Sequence, residues 1–411
     1  MNKREIEYLQ NKAFNYIKNN DIEKAIPIYQ SIINKDIKND VSYHMLGFIH
    51  SLKRDYEKAS KLIEKAISLY KWCGEYYNTL ASVYKELGRT EDAIDLLKTS
   101  ITVKPNCAES YNNLGMIYSS LKKFDISFDY FEKAIKFDPQ AAFIHFNYAI
   151  ALLTNGNYEK GWQEYEWRHK LTSFETEPLP KIEDIKNKKI LLQHEQGFGD
   201  NIQFIRYAKL LKDNGASEVN AIVSEPLEKL FKTCPYIDQV NVPTMMGDHL
   251  IPVMSLPLLF KTTISSVPTP IPYFDIPIAK LTGFNIGVAW ESKKNEITQI
   301  NSDGDRILPS LASLAHHSAQ KRCLKPEWFD KIGILPVDLW CLQPNCKEFK
   351  QSEINDFYDT AKLINSMDLV ISIDTAVAHL AGALGKPTLL LLPFNSEWRW
   401  LDKKDSVWYP N

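Results

Sequence analysis

Five small residues, Ala25, Ala59, Ala93, Ser127 and Gly161, stand 34 positions apart. Four positions beyond each comes a large one: Tyr29, Ile63, Leu97, Phe131 and Tyr165. The pairs Leu46-Gly47, Leu80-Ala81, Leu114-Gly115 and Tyr148-Ala149 keep the same spacing, and Pro105 and Pro139 close the third and fourth units. A fixed period of this length constrains the fold more than any other feature. Each unit is a supersecondary piece that cannot bury its own apolar face, so several must stack. The expected unit is two antiparallel helices. The small residue admits the second helix close to the first, and the large one fills the gap between neighbouring units.

Over residues 6–168 this period and pattern resemble the tetratricopeptide repeat. The first unit lacks the Leu-Gly pair and reads as a cap. The fifth ends in the aromatic-rich stretch 158–168, expected to dock onto whatever follows. The resemblance implies a groove open to a polypeptide. Asn113 and Asn147 occupy equivalent positions on first helices, suited to bonding a peptide backbone, similar to the asparagine ladder of protein O-linked sugar transferases. Met45 and Thr79 take the corresponding places in units two and three, so the ladder is incomplete. Acceptor capture and a plain scaffold both remain open.

The chain has 411 residues, 44% hydrophobic and 24% charged, enough apolar mass for real cores. A formal charge of −2 excludes a global basic field for nucleic acid or anionic lipid. No run approaches the roughly 18 apolar residues of a membrane span. The start, Met1 to Glu7, has no apolar signal core behind it, so a cytoplasmic location is expected. Cys73, Cys107, Cys234, Cys323, Cys341 and Cys346 form no CxxC pair and read as isolated thiols. His316-His317 lacks accompanying ligands and reads as a solvated loop. No metal and no cofactor are expected.

After Arg168 the helical period stops. Residues 170–188, with Pro178 and Pro180, read as a linker. From Lys189 onward β-branched runs alternate with helical stretches, predicting an α/β region with a largely parallel sheet. The expected division is a solenoid over 1–169, a linker over 170–188, a first Rossmann-like lobe over 189–284 and a second over 285–411.

Two loops of this region carry candidate chemistry. The first, Gln196-Gly197-Phe198-Gly199-Asp200-Asn201-Ile202-Gln203, lies between a strand at 189–192 and an amphipathic helix. Gly197 and Gly199 permit close backbone approach to a ligand. Asp200 is placed to cap the helix with Gln203 as its capping-box partner. A carboxylate at the carboxyl end of a strand could also accept a proton from a substrate hydroxyl. Glu195, beside the loop, reads as a hydrogen-bonded loop carboxylate. The second runs from Asp368 to Leu392 as a strand, a turn at Asp374-Thr375-Ala376, a helix stopped by Gly385 and Pro387, and a second strand. The helix start offers unpaired N–H groups to an anion. His379 lies one turn on, on the same face as Thr375. The tripeptide Trp398-Arg399-Trp400 suits stacking on a base or sugar, but reads better as packing between lobes.

Residues 189–410 resemble the heptosyltransferase-like glycosyltransferases, in the short form fused behind tetratricopeptide repeats. The stretches that carry this are 195–204, Ser255-Leu256-Pro257, 286–290, 356–361, 374–385, 392–400 and 405–410. The resemblance implies shortened glycosyltransferase B-type Rossmann-like lobes with the site in the cleft between them. It implies Asp200 as catalytic base. It implies a donor site at Asp374, Thr375 and Ala376, with His379, Gly197, Gly199 and Gln203 nearby, Lys293 or Arg322 facing the phosphates, and no metal. The activity implied is sugar transfer from a nucleoside-diphosphate sugar to a protein or glycan, the repeats binding the acceptor or a partner. The alternative is a non-catalytic repeat scaffold with a degenerate domain. The trimmed first lobe, the polar stretch 291–320 and the end at Asn411, where the family continues into a final helix, leave activity and a truncated end as open expectations.

Overall fold

The computed structural model describes residues 2–172, 177–291, 323–344, 346, 348–394, 396–401 and 405–409. The chain divides into two compact units. One holds the helices as far as Leu152. The other holds Leu153–His169 together with the α/β region.

In the first unit the helices come in pairs, as the period predicts: α1 (Lys3–Lys18) with α2 (Ile22–Lys35), α3 (Asp40–Leu52) with α4 (Tyr56–Leu69), α5 (Gly74–Glu86) with α6 (Thr90–Val103), and α7 (Ala108–Ser120) with α8 (Phe124–Phe137). A further helix, α9, spans Ala142–Thr154. The small residues Ala25, Ala59, Ala93 and Ser127 are fully buried, as are the large residues Ile63, Leu97 and Phe131. The large residue does more than fill the gap between units. A Cβ on Gly115 would stand 3.0 Å from the Phe131 ring. Phe131 therefore reaches the first helix of its own unit, and the glycine is what lets it in. Ser127 Oγ donates to the Gly115 carbonyl at 2.7 Å, tightening the same crossing.

The second unit opens with α10 (Tyr158–Tyr165) and a 3-10 turn over Glu166–Leu171. The first sheet contains β1 (Lys189–Gln193), β2 (Glu218–Ile222), β3 (Gln239–Val240) and β4 (His249–Pro252), all parallel, in the order β3-β2-β1-β4. The second contains β5 (Phe284–Ala289), β6 (Val337–Cys341), β7 (Leu369–Ile373) and β8 (Thr388–Leu391), also parallel, in the order β6-β5-β7-β8. The protein is thus a helical-repeat solenoid followed by an α/β region of two Rossmann-like sheets. The central strands are apolar runs buried on both faces, as parallel strands demand: Ile190, Leu191 and Leu192 in β1, and Val370, Ile371 and Ile373 in β7.

Each sheet reverses strand order once, between β1 and β4 in the first and between β5 and β7 in the second. Open parallel sheets bind ligands outside the carboxyl ends of strands at such points. The glycine loop follows β1, and the Asp374 turn follows β7.

The aromatic stretch of the fifth repeat docks as expected. Trp162 is buried with its ring 5.2 Å from Trp398 and 6.2 Å from Phe204, in edge-on contacts. Tyr158 Oη accepts from Trp408 Nε1 at 3.2 Å. By contacts this helix belongs to the α/β unit, although its residues continue the repeat pattern.

Candidate functional site

The glycine loop is shaped from three sides. Asn201 Nδ2 donates to the carbonyls of Glu195 at 2.9 Å and Gly197 at 2.7 Å, drawing the loop shut. Gln196, at φ 56°, exchanges hydrogen bonds with the Tyr165 hydroxyl. Glu195 receives a forked pair from Arg168, Nε at 3.0 Å and Nη2 at 2.9 Å, and accepts from the Met254 amide at 2.8 Å. This confirms Glu195 as a loop-fastening carboxylate.

The helix that follows, α11 (Phe198–Phe204), starts earlier than the capping-box reading placed it. Gly197 is its N-cap, and Asp200 is its third residue. The Asp200 carboxylate reaches back to accept from the Gly197 amide at 2.8 Å. The reciprocal bond is therefore Asp200's own. Gln203 has no part in it: it is fully buried, does not line the cavity, and its Oε1 accepts from Arg399 Nε at 3.0 Å.

The second loop forms the strand, turn and helix read from its residues. Helix α15 (Phe357–Asn365) precedes β7, and α16 (Ala376–Ala383) follows it. Thr375 is the N-cap of α16, but its side chain makes no capping bond. Gly385, at φ 71°, ends the helix. Asp374 and His379 are both buried. His379 Nδ1 lies 3.0 Å from the Tyr409 hydroxyl, its Nε2 lies 3.9 Å from Asp374 Oδ1, and its ring stacks on Trp400 at 5.1 Å.

The two loops meet. A Cβ on Gly199 would lie 2.7 Å from His379 Cδ2 and 3.5 Å from Ala376 Cα. The glycine lets helix α11 rest directly on α16. Gly197, Gly199, Asp200, Asp374, Thr375, Ala376 and His379 line one cavity of about 470 Å³. Its far wall comes from Gln343 and Pro344 after β6, and from Asp356 and Phe357 at the start of α15. Gln343 Oε1 accepts from the amides of Trp290 and Glu291, fastening the end of β5. Beside the cavity, Lys229 on α13 (Glu225–Phe231) bridges to Asp356 at 2.8 Å, and the rings of Phe198 and Phe357 lie 5.1 Å apart.

Arg399 was read from sequence as packing, and it does stack on Trp398, its guanidinium carbon 4.3 Å from the ring centroid. It also lines the cavity and forms an ion pair with Asp200. Its Nη1 donates to Glu397 Oε2 at 2.6 Å. Burial would lower the guanidinium, but Asp200 and Glu397 outweigh it and hold Arg399 above its usual range. Burial lifts the Asp200 carboxyl above the ordinary 3.8, against the opposing pull of Arg399. No motif spacing links these two, since they are 199 residues apart.

Lys293 and Arg322 lie outside the described residues, as do His316 and His317. Among the described residues no group of three or more metal-ligating side chains is assembled. No helix among them is long and apolar enough to cross a membrane. Asn113 and Asn147 lie in the other unit, in a row of amides: Asn113 Nδ2 donates to Asn78 Oδ1 at 2.8 Å, and Asn147 Nδ2 to Asn112 Oδ1 at 3.0 Å. Asn78 and Asn112 were not singled out from sequence. They sit one position away from the 34-residue alignment that picked Asn113 and Asn147.

Comparison with known proteins agrees with both halves. Tetratricopeptide-repeat models match residues 41–71, 74–107, 108–140 and 130–163. The model of glycosyltransferase family 9 (heptosyltransferase) matches residues 355–399, which run from the α15 cap through the Asp374 turn to Arg399. Protein FlbA of Caulobacter vibrioides is 25% identical over 312 residues, 66% of this chain and 51% of its own length. The chain therefore spans about half the length of this curated relative. Among solved structures, pilF of Pseudomonas aeruginosa is 17% identical, covering 51% of this chain and 85% of its own, with a TM-score of 0.40. YrrB, described as a TPR protein with an unusual peptide-binding site, is 21% identical, covering 39% of this chain and 84% of its own, with a TM-score of 0.32. On these matches the chain carries tetratricopeptide repeats between residues 41 and 163 and, over residues 355–399, glycosyltransferase family 9 (heptosyltransferase) sequence.

Proposed function

We propose that this protein is a cytoplasmic glycosyltransferase that moves a sugar from a nucleoside-diphosphate sugar to a protein or glycan acceptor. Residues 189–284 form the acceptor side, residues 285–411 the donor side, and the repeats hold the acceptor or a partner, with the amide row through Asn113 and Asn147 as the contact line. The observation that carries this reading is the shared cavity wall of Asp200 and the 374–376 turn. The family 9 match over the same turn supports it.

In the proposed reaction the acceptor hydroxyl oxygen attacks the anomeric carbon. The bond from that carbon to the phosphate oxygen breaks, and its electron pair leaves with the nucleoside diphosphate. The hydroxyl proton passes to Asp200, whose burial-raised basicity suits that task. The α16 amides, not capped by the Thr375 side chain, face the leaving charge as fixed dipoles. Incubation with a panel of nucleotide sugars, scored by release of nucleoside diphosphate, tests the reading. One sugar nucleotide should be consumed by the wild type and not by Asp200→Asn.

A second reading, a sugar-nucleotide-responsive scaffold without turnover, draws on the ion pair that occupies the Asp200 carboxylate. Thermal stabilisation by a nucleotide sugar without its consumption would favour it.

A further inference from the structure

The described residues lining the cavity include five carboxylates, Asp200, Glu291, Asp356, Asp374 and Glu397, and one side chain of permanent positive charge, Arg399. A diphosphate entering this space meets mostly its own sign. Asp356 is already offset by Lys229. The Arg399 guanidinium has five N–H groups in a planar fork. Three are engaged: Nε with Gln203, Nη1 with Glu397 and Nη2 with Asp200. Among the described residues one N–H on each terminal nitrogen is left over, on a residue that forms part of the cavity wall.

We propose that Arg399 is the anion-contacting residue of this site, and that a bound diphosphate draws it off Asp200 and so frees the carboxylate to act as base. This rests on the transferase reading above. The exchange is one of like partners. Phosphate oxygens and the Asp200 carboxylate compete for the same fork, and charge-assisted bonds to either are of similar kind. Arg399 is not cast loose in the exchange, because Gln203 and Glu397 keep two of its nitrogens in place. The other described groups with a marked effect on Asp200 include the Gly197 amide, Glu195, Glu397, His194 and Tyr165, and none of these side chains is a permanent cation.

Calorimetric titration of the full chain with UDP, GDP, CDP and ADP tests this through a double-mutant cycle at positions 200 and 399. The wild type should bind one of the four. Arg399→Gln should weaken that affinity about 10-fold or more. Asp200→Asn should tighten it, because the competing carboxylate is gone, and that gain should shrink when Arg399 is also replaced. Equal tightening with and without Arg399 would mean simple charge repulsion and overturns the exchange. Wild-type binding that ignores both substitutions overturns the assignment of Arg399 while leaving the transferase reading intact. Binding of none of the four by the wild type overturns the transferase reading, and this inference with it. If Arg399→Gln fails to fold, Arg399→Lys, which keeps the charge but not the fork, should still show a several-fold loss, and an unchanged affinity there overturns the proposal.

Discussion

Gly199 and His379 touch across the two lobes, so closely that a Cβ on the glycine would stand 2.7 Å from the imidazole Cδ2. The histidine cannot easily yield. Trp400 stacks on one side of it, and the Tyr409 hydroxyl holds its Nδ1. Gly199→Ala should therefore cost about 1–3 kcal/mol by overpacking, seen as a lower Tm. Gly197→Ala is the control, since its Cβ would meet only Asp200 Oδ2, at 3.2 Å, at an ordinary backbone φ of −87°. The prediction fails if the two substitutions lower Tm equally.

Asp200→Asn should reduce sugar transfer by roughly 10²–10⁴ while the circular dichroism spectrum stays that of the wild type. The acid limb of kcat/KM should lie above the ordinary aspartate value of 3.8, because burial raises this carboxyl. Arg399 opposes that rise, so in Arg399→Lys or Arg399→Gln the limb should stay in place or move to higher pH, according to how much of the ion pair survives. A limb that moves to lower pH in Arg399→Gln would remove Asp200 as the titrating base.

The repeats carry their own acid sensitivity. His44 is buried, 3.0 Å from the Thr79 hydroxyl, and burial pushes its pKa from 6.5 down to about 4. A depressed folded-state value means the unfolded chain binds the proton first. The stability that neutral His44 contributes is whole above pH 6.5 and is lost as pH falls from there toward 4, by about 3 kcal/mol at most. His44→Gln should be less stable than the wild type at pH 7.5, and the gap should close by pH 4.5. Melting curves at the two values check this, and a gap independent of pH would exclude His44 as the titrating group.

Trp162 anchors α10 among Trp398, Trp408 and Phe204. Trp162→Ala should cost about 3–5 kcal/mol. Because α10 packs with the α/β unit, amide exchange should rise first near Trp398 and Trp408. Loss of protection confined to helices α1 to α8 would contradict that placement.

Much of this architecture is written in local spacing. The 34-residue recurrence of Ala59, Ala93 and Ser127 specifies paired helices, because each unit repeats the same small-against-large contact over a short stretch of chain. The strand, turn and helix around Asp374 are equally local, bounded by a helix start at Thr375 and a stop at Gly385. Three features were not legible in this way: the start of α11 at Phe198, the buried place of Gln203, and Arg399 as partner of Asp200. The first turns on a local bond from the Gly197 amide to Asp200 that the capping-box reading assigned to Gln203; the other two depend on how one Rossmann-like lobe is set against the other. Periodicity reports which face of an element is apolar, but not which distant side chain will meet it there. The pairing of residues 200 and 399 exists only once both sheets have formed and docked, and the tertiary structure alone decides it.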